Sequence, residues 1–179
     1  MKTIEINKNK VNELRDNFEA LLNIDDEKTM ISKVRQFEIN GVEAINKLIS
    51  DDEVDSDTID LVVGSLIDLQ VRDYAIGITS EDNRDKLINL WQQLAIIAPS
   101  GSIAPLANLC AIANYEAGNK HTASEWLDTA DKDNPNYSLT NLIRRVIASV
   151  DSPEIFTVMR KQLHAKVIAG IYGDDDENN

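Results

Sequence analysis

The chain has 179 residues, 42% apolar and 27% charged, the proportions of a folded globular protein rather than a disordered or fibrous one. Its 18 Lys+Arg against 31 Asp+Glu leave a formal charge of -13. Direct binding to nucleic acid or to an anionic membrane, which both need clustered cations, is therefore not expected. The single Cys110 excludes a disulfide framework within the chain and any Cys-rich zinc module.

Met1 to Lys10 is polar and carries no apolar signal segment. Apolar runs reach five residues, as in Leu94 to Ala98, against the about 20 that a membrane span needs. A cytoplasmic location follows as the expectation.

Val11, Leu14, Phe18 and Leu21 recur at three- and four-residue steps, the period of an amphipathic helix. Ile31, Val34 and Phe37 continue it, and Ile45, Leu48 and Ile49 follow, with a kink or break expected at Asn40-Gly41. Residues 51–60 hold six acids and no base. Asp55, Ser56 and Asp57 are candidate N-caps for a helix through Ile59, Val62, Val63, Leu66, Ile67 and Leu69, which should run on past Val71 and Tyr74 towards Ile78. Thr79 and Asp82 form a capping-box-like start for a helix bearing Leu87, Leu90, Trp91, Leu94 and Ile97 on one face. Pro99 to Ser102 ends it.

Pro105 suits the first turn of the next helix, whose inner face carries Leu106, Leu109, Cys110 and Ala113. Gly118 makes a turn into a partner helix lined by Ala123, Trp126, Leu127 and Ala130, and Asp133 to Asn136 makes the turn after that. A further helix begins around Tyr137, Leu139, Leu142 and Ile143. Ser152, Pro153 and Glu154 combine an N-cap, a first-turn proline and an early acid for the last helix. No alternating strand pattern is present beyond Thr3 to Ile6, which is too short to carry a sheet. The expected class is all-α, a single helical domain over residues 1–172, followed by a disordered acidic tail over residues 173–179.

Residues 104–137 resemble one tetratricopeptide repeat, through Ala111, Gly118, Ala123, Leu127, Ala130 and Pro135. Ala107 stands where that family has a large aromatic, and Tyr115 lies one position beyond the family's tyrosine site, occupied here by Asn114. Only one good copy is present, so the flanking helices must cover the hairpin in a non-repetitive way. A broader likeness runs from about Glu27 to Val150. Arg72, Asp73, Trp91, Pro99, Pro105, Gly118, Pro135, Tyr137, Ser138 and Leu139 together resemble the C-terminal helical part of an uncharacterised family, a domain of unknown function widespread in actinobacteria. The resemblance implies the helical fold and a bacterial or phage origin, and carries no activity.

Several polar residues invite a role. Arg72-Asp73 reads as an ion pair fixing a bend between helices, or as a binding-site arginine. His121 and His164 have no ligand at a metal spacing and read as exposed helix residues. Cys110 reads as a small buried hydrophobe, and Trp91 and Trp126 as core, or as the border of a peptide groove. Arg144, Arg145, Arg160, Lys161 and Lys166 give the last helices a basic character, either a solvated face or a docking patch for an acidic partner or for the chain's own tail. No catalytic triad element, P-loop or dinucleotide fingerprint is present.

The expected function is a non-enzymatic protein-protein interaction module without cofactor or metal. It would bind a protein or peptide partner on a concave helical surface through Asn108, Asn114 and Tyr115, with Arg72 and Arg145 nearby. The alternative is an acidic inhibitor or nucleic-acid mimic from a phage or mobile element, acting on a basic site. A homodimer is a further expectation, because Val11, Leu14 and Phe18 need cover. Outside residues 51–60 and the tail, the chain carries 21 acids and 18 bases, so most of the charge belongs to two short segments.

Overall fold

The computed structural model describes residues 4–50, 54–149 and 152–173, and the described residues form nine helices and no strand. They are α1 Lys8–Leu22, α2 Glu27–Ser50, α3 Ser56–Ser65, α4 Leu69–Gly77, α5 Arg84–Ile97, α6 Ile103–Glu116, α7 Lys120–Asp133, α8 Ser138–Ser149 and α9 Pro153–Tyr172. Of the disordered tail expected over residues 173–179, residues 174–179 lie outside the described residues, as do Thr3 and the acids Asp51, Asp52 and Glu53.

Local side chains set several of the helix starts. Asn7, Asp55 and Asp68 each accept a hydrogen bond from the backbone N–H three residues on, at 3.3, 2.8 and 2.9 Å, satisfying donors that a helix N-terminus otherwise leaves bare. Asp68 explains the main departure from the expected elements. The apolar stripe from Ile59 to Ile78 is two helices, α3 and α4, because the Asp68 carboxylate caps Val71 N–H and restarts the helix. The start of α5 also differs. The reciprocal turn is Ser80 with Asn83, where Ser80 N–H donates to Asn83 Oδ1 at 2.7 Å, and the helix opens at Arg84.

The expected break at Asn40-Gly41 is absent, and α2 runs unbroken through it. Gly41 is there for close approach. A Cβ at this position would lie 2.8 Å from the Ser65 Cβ and 3.0 Å from Val71 Cγ1, so the glycine lets α2 press directly on the end of α3 and the start of α4.

Helix α6 is the axis of the molecule: every residue from Ala104 to Glu116 is buried. It forms an antiparallel hairpin with α7 across Gly118, whose φ of +84° suits glycine in the tight turn. The main core joins Val42, Ile45, Val62, Leu66, Leu87, Trp91, Leu94 and Leu106. A second core under α8 joins Ile112, Leu127, Leu139 and Ile143. The apolar face of α1 is covered within the chain: Val11 and Phe18 are buried, the Phe18 and Phe37 rings lie 4.8 Å apart, and Leu14 packs on Gly64. The reason given for a homodimer through α1 is thereby removed.

Candidate functional site

More of the exposed apolar side chains sit on the last two helices than elsewhere among the described residues. Helices α8 and α9 run antiparallel with a groove of about 360 Å³ between them, within the size of a ligand or peptide-anchor site. Ile76 of α4 and Ile112 of α6 contribute to its floor. Its walls carry Leu142 and Val146 on α8 and Phe156, Met159 and Leu163 on α9. Leu142, Met159 and Leu163 keep 51%, 44% and 55% of their surface exposed, an arrangement that costs solvation free energy in a monomer and marks a candidate contact surface.

The local sequence explains why α9 leaves apolar side chains in water. Val167 and Ile171 are buried, and they share a face with Arg160. Val158, Met159, Leu163, Ile168 and Tyr172 remain exposed around the rest of the helix. A helix that is apolar on more than one side has more contact surface than this chain covers.

Two ionic ties, one half-buried and one fully buried, position the groove. The Arg72 side chain, 8% exposed, donates from Nε and Nη2 to Asp73 Oδ1 at 2.9 and 2.7 Å and from Nη1 to the Tyr137 hydroxyl at 3.2 Å. It thereby ties α4 to the residue before α8 while lining one end of the groove. Arg160 donates from Nε to Glu116 Oε1 at 2.8 Å and from Nη1 to the Gly77 carbonyl at 3.0 Å, and Thr157 Oγ1 donates to the same Glu116 oxygen at 3.1 Å. This pair fastens α9 to α6 and α4. Beside it His164 is half-buried against the Tyr74 ring, 5.3 Å between centroids, and fills the space that a Cβ on Gly77 would need. Burial, with the Arg160 charge adding to it, pushes the His164 pKa down. His164 is thus a packing residue of the α4–α9 contact and not the exposed helix residue expected.

The five expected partner-binding residues are not brought together. Arg72 lines the groove, and Arg145 is exposed on α8 with its Nε donating to Asn141 O at 3.3 Å. Asn108, Asn114 and Tyr115 are buried in α6, which corrects their reading as a concave surface. The Asn108 amide donates to Ala104 O at 2.8 Å and to Thr140 Oγ1 at 2.9 Å, and the Asn114 amide donates to Cys110 O at 2.8 Å. The Tyr115 ring meets Phe156 edge-on with 6.1 Å between centroids. Helices α8 and α9 pack on α6 in addition to its hairpin partner α7 and leave it no open side. The residues that sequence reasoning missed are Leu142, Met159 and Leu163. The all-round apolar character of α9 was the signal available for the last two.

Among the described residues no group of three or more His, Cys, Asp or Glu could hold a metal ion, and no helix is long and apolar enough to cross a membrane. Cys110 is fully buried and its thiol pKa is pushed up by burial, which leaves it a packing residue. Trp91 is core, and Trp126 is partly buried against both core clusters.

No curated protein and no solved structure matches the chain. A family model does match, over residues 7–154, from the N-cap of α1 to the first turn of α9. The match begins well before Glu27, where the sequence likeness was first visible, and covers most of the chain. The chain belongs to DUF4192, a family defined as a domain of unknown function.

Proposed function

We propose that this protein is a non-enzymatic interaction module whose α8–α9 groove receives a segment of another protein. The observation that carries the reading is the exposure of Leu142, Met159 and Leu163 around a cavity of about 360 Å³. The charged groups nearest it favour binding over chemistry. Asp73 is held by Arg72, and Arg160 by Glu116, so the groove holds no uncommitted acid–base pair of the kind a catalytic site needs. The nucleic-acid-mimic reading has less support. Of the acids in residues 51–60, Asp55 caps α3 and bonds Lys47, Asp57 pairs with Lys10 at 2.8 Å, and Asp60 is buried and accepts from Asn7 N–H at 2.8 Å. Such carboxylates hold α1, α2 and α3 together.

The test is site-specific photo-crosslinking in the native host. A crosslinking amino acid placed at Leu163 should give a defined protein adduct, and one at Ile96, 74% exposed on α5, should not. Leu142→Glu should abolish the Leu163 adduct. Equal labelling from both positions, or no adduct from Leu163, would count against the groove as a docking site.

A further inference from the structure

We infer that the occupant of the α8–α9 groove is an acidic amphipathic helix of a partner protein; this rests on the reading of the groove as a protein-docking site and gives that site its chemistry. Shape supplies the first argument. The groove side of α9 runs from Phe156 to Val167, a rise of about 16 Å at helical spacing, which matches about three turns of a docked helix. Its two walls face each other, with Leu142 and Val146 against Met159 and Leu163. An inserted helix with apolar side chains at i, i+4 and i+7 would meet both walls at once, the mode in which grooves between helices take amphipathic segments.

Charge supplies the second argument, and it selects among occupants. Residues 1–137 carry 25 acids and 13 bases, whereas residues 138–173 carry five bases and two acids. The groove is therefore formed by helices that carry net positive charge in an acidic chain. The charged residues lining it are three bases, Arg72, Arg160 and Lys166, and one acid, Asp73, with Lys166 the exposed cation among them; Arg145 is exposed on α8 outside the lining. Arg144 differs, being held by Asp128 and Asp131 at 2.6 and 2.7 Å. A slot whose lining is apolar with net positive charge attracts a segment that is apolar on one face and acidic on the other, and repels a basic one. A second copy presenting the same α8–α9 face would set cations against cations. Residues 174–179 of the chain itself have the acids but no apolar side chain to fill the slot.

The experiment uses the full chain and two synthetic helical peptides of about four turns. Both carry leucine at i, i+4 and i+7; the first has glutamate on its polar face, the second lysine. Dodecanoate serves as the non-peptide amphiphile. Affinity is read by fluorescence anisotropy at low and moderate salt, location by amide chemical-shift mapping, and self-association by light scattering. The glutamate peptide should shift residues of α8 and α9 and bind at least about tenfold more tightly than the lysine peptide, with the margin narrowing as salt rises. Lys166→Glu combined with Arg145→Glu, both at exposed positions, should remove most of that margin with an unchanged circular-dichroism spectrum.

Equal binding of the two peptides, preference for the lysine peptide, shifts confined to other helices, binding of dodecanoate alone, or a dimer formed through α8 and α9 would each overturn the inference. A protein adduct at Leu163 together with equal peptide binding would retain the docking site and reject its acidic chemistry. Absence of both the adduct and peptide binding would reject the two together.

Discussion

Glu38 sits buried on α2, and desolvation with the nearby Asp68 charge pushes its pKa up from 4.5 to about 7, against a smaller opposing pull from Arg35. The folded chain thus holds this proton to about pH 7, whereas the unfolded chain releases it near pH 4.5. Since the folded state binds more protons across that window, stability falls as pH rises through it. Glu38→Gln, neutral at every pH, should match the native protein near pH 4.5 and exceed it at pH 8 by about 3 kcal/mol in urea unfolding. A native and a variant protein with parallel stability profiles from pH 4.5 to 8 would refute this. Buried polar residues elsewhere show why a sequence position alone misleads. Asn108 and Asn114 look like surface groups on a helix, yet each returns its amide to the carbonyl four residues back, which lets a polar side chain sit inside a packed helix.

Helices in this protein are held at their ends by residues far away in sequence as well as by their own caps. Ser102, the N-cap position of α6, makes no side-chain capping bond. Asp133, the last residue of α7, does that work instead. Its carboxylate accepts from Gly101 N–H at 2.7 Å and from Ala104 N–H at 2.8 Å, where the positive end of the α6 dipole also favours an anion. Asp133→Ala should cost about 1–2 kcal/mol, read as a lower urea midpoint with an unchanged slope. A shift within error would show that water replaces the cap without loss. At the same scale, the Asn40-Gly41 pair reads as a helix stop in isolation. It fails to stop α2 because Ser65 and Val71 press on the glycine from outside and the contact outweighs the weak local preference, about 1 kcal/mol for glycine against alanine.

At the scale of the whole molecule, α9 lies almost entirely beyond the family-matched residues 7–154 and still contributes Val167 and Ile171 to the main core. Burying two such side chains is worth about 3–6 kcal/mol together, a large part of the about 5–15 kcal/mol that holds a typical protein folded. A chain ended before Pro153 should therefore lose most of its resistance to urea and bind a hydrophobic dye such as ANS, because the α4 and α6 surfaces under α9 open to water. An undiminished midpoint would show that α9 is an appendage rather than part of the cooperative unit. The distribution of charge belongs to this scale as well. A net -13 describes no local surface: the acids cluster ahead of α8, and the groove helices are basic.

The helical class, the cap at Asp55, the start of α9 at Pro153, the Gly118 turn and the core positions of Trp91, Leu94 and Cys110 were legible in the sequence, because each depends on local periodicity or on one residue's own conformational preference. So was the basic character of the last helices. What periodicity could not rank was which apolar face finds cover. Helix α1 carries one apolar stripe and α9 several, and neither pattern says which side is covered: α3 and α2 close over Val11 and Phe18 while Met159 and Leu163 stay in water. In the same way, α4, α5, α7, α8 and α9 together decide that α6 is buried on every side. Burial is set by the sum of neighbours around a helix, and those neighbours come from distant parts of the chain, so only the tertiary structure placed the groove between α8 and α9.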